Sequence, residues 1–439
     1  MNNFIRTCAI GVAIAAAWTT ISAQQSMPST STAAPALTLA QAEHLAIEHN
    51  PRIGIARLLQ LAQAQVTREV LASELPTAAA NLTAVEAHKG SLITAGYLSN
   101  SSVYDRAAAG VTVSQLITDF GRTHNLVLSA QSQAKAQKDA QRATTADIVL
   151  AVDQAFYHAL ASQAVFKVAE QTVATRQATA DQIGALAASK LKSSLDLSFA
   201  NVELSQAKLL LLDAQNAKQD SSSILNALLG SEQDDRYTLV DETPSPAQPA
   251  PEDIEPLVQM AFNSRPDLAA LNESYHAAHQ FSRAEDDLTH PTVSALGSVG
   301  ATPIRQDQIA SSWYGAVGVN VSIPIFNGFL YSARTREAEL RASAAQEQVR
   351  NLRELIARDV RISALAAQAA FRRIEVTRQL RDQSNLALDL AQTRYKLGLS
   401  GIVELSQAQL AQTQAEISYA SARYAYQTAL ALLTYQTGQ

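Results

Sequence analysis

Two parts of this chain alternate apolar with small or polar residues, and a much longer stretch of helical period follows each part. A period of two predicts β-strands, because successive side chains of a strand point to opposite faces. The strand candidates, in chain order, are 77–89, 103–118, 291–301 and 312–325. On the last of them the large apolar side chains share one face: Trp313, Val317, Val319 and Val321. This alternation suits strands between lipid and a water-filled lumen, and it equally suits a half-buried strand of a soluble sheet.

The stretches that follow the strands have a helical period. Small and apolar residues recur there at a mean spacing of about 3.5 residues, which is typical of coiled coils. In the first half they include Ala155, Ala159, Ser162, Phe166 and Ala169. Proline is absent from 77–243 and from 325–439, so we expect helical hairpins over about 122–229 and 329–437. An unbroken helix over 122–187 would be roughly 100 Å long, which indicates an elongated molecule rather than one globular core.

The order of these patterns is repeated along the chain. Asn50-Pro51 and Leu75-Pro76 precede the first strands, and Arg265-Pro266 and His290-Pro291 precede the second pair. We therefore expect an internal duplication, with a first structural repeat over 37–230 and a second over 254–439. The segment 231–253 between them contains repeated prolines and predicts a stiff, extended linker.

The first residues read as an export signal. A short apolar stretch follows Arg6, and Ile21-Ser22-Ala23 offers small residues at a cleavage point, so we expect a signal peptide over 1–23. Residues 24–36 are rich in Ser, Thr, Pro and Ala and predict a flexible segment. The only cysteine, Cys8, lies in the predicted signal, which excludes disulfides and cysteine-ligated metals from the expected mature chain.

Charge and motifs exclude several classes of function. The net charge of −6 does not suit a nucleic-acid-binding protein. The sequence contains no phosphate-binding loop, no dinucleotide-binding turn and no nucleophile elbow. His276 and His279 have ligand-capable spacing, but a metal site needs further ligands that the pattern does not supply. We expect no catalytic residue, no metal site and no cofactor, and hence a protein that is not an enzyme.

Taken together, the pattern resembles the TolC-like outer-membrane efflux proteins, the outer membrane factor family. The segments that carry the resemblance are Asn50-Pro51, Leu75-Pro76, Gln115 to Arg122, Ile323 to Phe329 and Arg394 to Gly398. The resemblance implies a mixed α and β membrane protein. Three copies would form a homotrimer with a 12-stranded β-barrel, four strands from each protomer, continued by a long α-helical coiled-coil barrel. The physics agrees, since membrane barrels start at about eight strands and four cannot close alone.

The resemblance also implies a function, a location and partners. The protein would be an outer-membrane channel with porin activity, the passive exit duct of a tripartite efflux pump or a type I secretion system. Its helices would extend into the periplasm and meet a periplasmic adaptor (membrane fusion protein), which joins an inner-membrane transporter; outer-membrane lipid would surround the barrel. The alternative is a periplasmic coiled-coil adaptor or scaffold without a membrane barrel, which would be soluble without detergent.

The candidate gate lies near the tips of the two helical hairpins. The family has an Asp-x-x-Asp pattern whose carboxylates ring the lumen, and the matching positions here are Glu404 and Gln407, so one charge is lost. Asp196 and Tyr395 match positions that resemble a hydrogen-bonded latch on the closed tip. Ser400 stands where relatives can carry an arginine that adds to this latch.

The hairpin tips are the candidate docking sites for the adaptor. The positions implied are Lys190, Leu191, Lys192 and Ser193 in the first hairpin, and Gly398, Leu399 and Ser400 in the second. Lys190 occupies a position where the family often has glycine. On the last strand, the residues that the resemblance implies to face lipid are Trp313, Val317, Val319 and Val321.

Overall fold

The computed structural model describes 35–86, 92–93, 101–102, 106–231, 237–242, 249, 251–304 and 311–439. The predicted signal peptide over 1–23 lies outside these residues. So do 24–34 of the predicted flexible segment, and 232–236, 243–248 and 250 of the predicted linker. Among the helices of the described ranges, none is both long enough and apolar enough to cross a membrane.

The elements of the first half follow one another in a simple order. They are β1 Ala36–Leu37, α1 Leu39–His49, α2 Pro51–Leu71, β2 Thr77–Val85, β3 Leu92–Ile93, β4 Ser101–Ser102, β5 Arg106–Thr118, α3 Arg122–Ala188 and α4 Ser194–Leu228. A 3-10 turn, Ala72–Glu74, separates α2 from β2. The last two helices form the first hairpin.

The second half repeats this order without counterparts of β3 and β4 among the described residues, and its helices have almost the same lengths as those of the first half. Its elements are β6 Thr238–Leu239, α5 Glu255–Ser264, α6 Pro266–Asp286, β7 Thr292–Ile304, β8 Trp313–Ser322, α7 Leu330–Lys396 and α8 Ile402–Thr437. A 3-10 turn, Asp287–Thr289, again precedes the strands. Helices α3 and α7 are both 67 residues long, and α2 and α6 are both 21 residues long.

Local chemistry sets where the short helices begin. Thr38 caps α1 in a reciprocal capping box with Gln41, which satisfies two free backbone N–H groups. The Asn50 side chain accepts from the Arg52 N–H at the start of α2, while Pro51 takes the first helical position. Proline is favoured there because its ring presets the helical φ and its missing N–H would have no partner.

Each hairpin returns to the start of its own repeat. Asn50 donates from Nδ2 to the Leu228 carbonyl at the end of α4, at 2.8 Å. Gly230 follows with φ +78°, and a Cβ there would lie 2.6 Å from the His49 carbonyl oxygen. In the second half Gly438 has φ +77°, and its Cβ would lie 2.8 Å from the Ser264 carbonyl carbon. Glycine suits both positions, because it adopts a left-handed backbone readily and has no Cβ that would clash with the neighbouring backbone.

The four long strands form one antiparallel sheet in the order β2-β5-β7-β8. Its central pair, β5 and β7, joins the two halves of the chain. One cross-strand row is Ala80, Val111, Val299 and Gly315, and its neighbours Leu82, Val113, Val317 and Val319 lie on the same face. The opposite face carries Asn81, Thr112, Ser298 and Asn320. The sheet is therefore apolar on one face and mostly polar or small on the other.

Small residues let a tyrosine pack across the polar face. Gly110 and Gly300 lie side by side in the register, and Gly300 pairs with Tyr314. A Cβ on Gly110 would lie 2.2 Å from the Tyr314 hydroxyl oxygen, and one on Gly300 would lie 2.5 Å from it. The ring of Tyr314 thus occupies the space that side chains at both glycines would need.

The buried apolar side chains form separate clusters along the helices. One cluster packs Ile148, Val152 and Phe156 of α3 against Ala42 and Ala46 of α1. A second cluster lies near the hairpin tips and contains residues of both hairpins: Ala180, Ile183, Ala200, Leu204, Tyr395, Ile402 and Leu405. The long hairpins are therefore held to one another close to their tips as well as at their bases.

Candidate functional site: the hairpin tips

The two hairpin tips end their first helices in the same way. Lys190 has φ +61° and Gly398 has φ +72°. The Leu191 N–H donates to the Leu186 carbonyl, and the Leu399 N–H donates to the Arg394 carbonyl. These bonds are typical of the Schellman motif, which needs a left-handed residue just beyond the helix. Lys190 adopts that backbone without being glycine, so the first tip is strained where the second is not.

Both tips present apolar side chains to solvent. Leu191 is 71% exposed and Leu399 is 67% exposed, and Lys190, Ser193 and Gly398 are exposed beside them. Ser400 is half-buried, and its hydroxyl is buried without a hydrogen-bond partner. The residues predicted for adaptor docking thus lie together on two adjacent turns of the protomer.

Tyr395 lies in the last turn of α7 and is almost fully buried. Its pKa is raised, first by burial and then by the negative charge of Asp196, so the phenol stays neutral. The structure brings Asp196 near Tyr395 without a hydrogen bond between them, since the buried Tyr395 hydroxyl has no partner. Asp196 instead accepts from the Ser193 N–H in the capping box that begins α4. The hydrogen-bonded latch implied by the family is therefore not formed within this protomer.

Glu404 and Gln407 are both exposed and lie three residues apart at the start of α8. This spacing puts them on one face of the helix. Glu404 Oε1 lies 3.1 Å from Arg394 Nε, and both side chains are about half exposed. The carboxylate predicted to ring the lumen therefore has a cation beside it within the same hairpin.

Two tip interactions were not predicted from the sequence. One is the Arg394 partner of Glu404, and the other is Lys192, whose ammonium lies 4.0 Å from the centroid of the Tyr395 ring. The sequence Arg394-Tyr395 near the end of α7 does not predict either contact. Both contacts depend on how the turn after a helix orients the next helix, and no local sequence pattern specifies that orientation.

The residues predicted to face lipid lie on one face of β8, as strand alternation requires. Val317 is 93% exposed, Trp313 67%, Val319 65% and Val321 54%. Exposed apolar patches of this kind are typical of a surface that contacts a membrane or another protein.

Far from the tips, two carboxylates meet between α1 and α3. The pKa of Asp153 is raised to about 7 by burial first, then by the charge of Glu43 and a side-chain hydrogen bond with it. Nearby, Tyr435 donates to Asp147 at 2.6 Å, and the pKa of Tyr435 is raised to about 12 by burial and this bond. Arg265 pairs with Asp267 at 2.6 Å. Among the described residues, no group of three or more His, Cys, Asp or Glu side chains could hold a metal ion.

Comparison with known proteins accounts for this architecture. The sequence matches the outer membrane efflux protein family over residues 44–231 and 257–439. It is 27% identical to outer membrane protein OprJ of Pseudomonas aeruginosa over 306 residues, 68% of this chain and 63% of OprJ. It is 23% identical to outer membrane protein TolC of Salmonella enteritidis over 185 residues, 40% of this chain and 38% of TolC. The match thus spans less than two thirds of either relative.

The fold is shared with solved structures of similar size. The outer membrane protein VceC from Vibrio cholerae matches with a TM-score of 0.76 and 19% identity, over 91% of this chain and 96% of VceC. At this identity the likeness shows the mixed α and β fold. The family match covers both halves of the chain, and the matched relatives are described as outer membrane proteins rather than enzymes. The chain therefore belongs to the outer membrane efflux protein family, and the predicted family and its location in the cell outer membrane are confirmed.

Proposed function

We propose that three copies of this chain form the exit duct of a tripartite efflux pump or a type I secretion system. The observation that carries the proposal is the four-stranded sheet. Its order leaves one side of β2 and one side of β8 without a partner strand among the described residues. An open sheet edge is very costly in lipid, and three such sheets joined edge to edge supply the twelve strands of a closed barrel.

The two faces of the sheet support the same arrangement. The face with Val317 and Val319 would contact lipid, and the face with Asn81 and Asn320 would line a water-filled lumen, the pattern of membrane barrels. In the alternative, a periplasmic adaptor or scaffold, the apolar face would be packed inside a small domain. The 93% exposure of Val317 disfavours that alternative.

The long helices support a tunnel below the barrel. Helices α3 and α7, 67 residues each, are about 100 Å long at ~1.5 Å per residue. The equal lengths, shared order and matching glycine contacts of Gly230 and Gly438 favour an internal duplication. Two hairpins from each of three protomers would then approximate a sixfold coiled-coil barrel that extends into the periplasm.

We place the gate at the hairpin tips. Three Glu404 carboxylates around the axis would attract cations to the lumen. The Arg394 guanidinium at 3.1 Å offsets each of these charges, and Gln407 adds none, so the ring would be weakly cation-selective. The exposed Leu191 and Leu399 at the tips suit an apolar groove on an adaptor, through which an inner-membrane transporter would supply the energy.

Cysteine cross-linking tests the barrel directly. Cys8 is the only cysteine, so a Cys8→Ser background allows pairs to be introduced. A cysteine replacing Ala80 of β2 would be combined with one at each of Gly315, Val317 and Val319 of β8. We expect oxidation in membranes to yield covalent dimers and trimers for the pairs that fall in register, whereas each single cysteine should yield no trimer.

The alternative, a periplasmic adaptor or scaffold without a membrane barrel, is tested with the same samples. A duct should require detergent for extraction, and the purified wild-type protein should conduct ions in planar bilayers. If the protein is soluble without detergent and no pair forms covalent trimers, the duct proposal fails.

A further inference from the structure

Tyr395 is the point where the two hairpins meet at their tips. It belongs to α7 of the second hairpin, yet it packs in one cluster with Ala180 and Ile183 of the first. The residue is 7% exposed. Its hydroxyl makes no hydrogen bond, so the ring rather than the oxygen makes the contacts that matter.

Lys192 reaches this ring from the first hairpin. Its ammonium lies 4.0 Å from the ring centroid, within the distance of about 6 Å at which a cation is attracted to an aromatic face. The side chain is half-buried, so part of its hydration shell is lost. No carboxylate of the described residues pairs with it within 4.0 Å, and Asp196 accepts from the Ser193 N–H in the capping box.

Another lysine of the same hairpin shows what an unengaged cation looks like. Lys208 is exposed on α4, and among the described residues it has no ring contact or ion pair. The two lysines share their charge and their side-chain length, but only Lys192 contacts the Tyr395 ring. Lys208 lies outside the tip residues named above, so it is a suitable control for the loss of a lysine charge.

We propose that Lys192 is a gating residue, and that its contact with the face of Tyr395 holds the first hairpin tip against the second in the closed duct. The inference rests on the proposed function, because it assumes tips that move apart when the duct opens. The contact joins residues of different hairpins, so separation of the tips must break it. A ligand or partner that opens the tips must outweigh this contact.

The size of the effect follows from the type of contact. Loss of one cation–π contact at a partly exposed position should raise the open-to-closed ratio about fivefold. Three copies that open together would multiply this factor, so the trimer should respond more strongly than a single hairpin pair.

The experiment measures open probability in planar bilayers for a set of variants purified as trimers in equal amounts. Lys192→Met removes the charge and keeps the length, and we expect it to raise the open probability. Lys192→Arg restores a cation and should restore closure. Lys208→Met removes an exposed lysine charge from the same hairpin; it is the matched control and should behave as wild type.

Two substitutions of the tyrosine separate the ring from the hydroxyl. Tyr395→Phe keeps the aromatic face, so it should stay closed, while Tyr395→Leu removes the face and should open. The inference is overturned if Lys192→Met equals wild type, if Lys208→Met opens the duct as much, or if Tyr395→Phe opens it as Tyr395→Leu does. Absence of any conductance from the wild-type protein and from every variant would instead overturn the proposed function itself.

Discussion

The carboxyl pair between α1 and α3 makes stability depend on pH in a defined direction. Asp153 lies beside Glu43, and one buried Asp153 oxygen, Oδ1, accepts no hydrogen bond. Burial and the Glu43 charge raise the pKa of Asp153 from 3.8 to about 7. The surroundings are acidic: the pKa of Tyr157 is raised by burial first, and then by the charges of Asp153, Glu43, Asp241 and Glu242. Asp153 can hydrogen-bond with Glu43 while it keeps its proton, and it is repelled by the Glu43 charge once it ionises.

The sign follows from the raised pKa. The folded protein holds the Asp153 proton more tightly than the unfolded chain, so this group stabilises the fold fully below pH 3.8. That contribution is lost as the pH rises through about 7. Asp153→Asn keeps the shape of the side chain, cannot ionise, and lets its amide donate to Glu43. The variant should therefore be more stable than wild type above neutral pH, with a smaller gain at acidic pH.

The magnitude can be bounded from the shift. Each pKa unit corresponds to about 1.36 kcal/mol, so the shift from 3.8 to about 7 has an upper bound of about 4 kcal/mol. The side chain is only partly buried, and solvent screening reduces this to about 1–2 kcal/mol. In a chain of this length that is on the order of 2 °C in the unfolding midpoint.

The assay is thermal unfolding in detergent, followed by the helical circular dichroism signal at about pH 5.5 and about pH 8. Asp181→Asn is the control, since Asp181 is exposed on the same helix. We expect the midpoint of Asp153→Asn minus that of wild type to be larger at the higher pH, and the control to show no such difference. A pH-independent difference, or a loss of stability at the higher pH, would refute the reasoning.

Three further outcomes are expected. Glu404→Gln should weaken divalent-cation block of single-channel current and Arg394→Gln should strengthen it, because the two charges offset each other; equal block in both variants would exclude this pairing. Gly300→Ala should sharply reduce heat-resistant trimers on gels, because its Cβ would lie 2.6 Å from a backbone oxygen of β5; wild-type amounts would contradict the described register. Gly230→Ala should cost about 1–3 kcal/mol in thermal unfolding, since φ is +78° and its Cβ would meet backbone. Gly54→Ala, with open space around it, should be neutral or stabilising by up to about 1 kcal/mol.

The long helices and strands are the part of this fold that sequence predicts best. Their signals are local and repeated many times, so a single misleading residue changes little. Examples are the absence of proline from 77–243, the capping box at Thr38 and the alternation of apolar and polar residues around Val317. Each of these signals depends on interactions between residues only a few positions apart in the chain. Family resemblance then adds expectations that no local pattern contains, namely the number of copies and the site of the gate.

The chemistry of the tips could be predicted only in part. The positions of Glu404 and Tyr395 followed from a motif, but their partners did not. Arg394 meets Glu404 across a turn, and Lys192 meets Tyr395 across two hairpins. Glu43 and Asp153 are separated in the chain by α2 and the strands β2 to β5. Contacts of this kind depend on the angle between one helix and the next. The periodicity of the sequence does not predict that angle.

The two free edges of the sheet have a genetic consequence. Each protomer supplies both the β2 edge and the β8 edge, so in the proposed trimer every copy completes two neighbours. A cell that makes intact and edge-defective chains in equal amounts would have only about one trimer in eight built wholly from intact copies, if the chains mix at random. An edge defect should therefore be dominant over the intact allele.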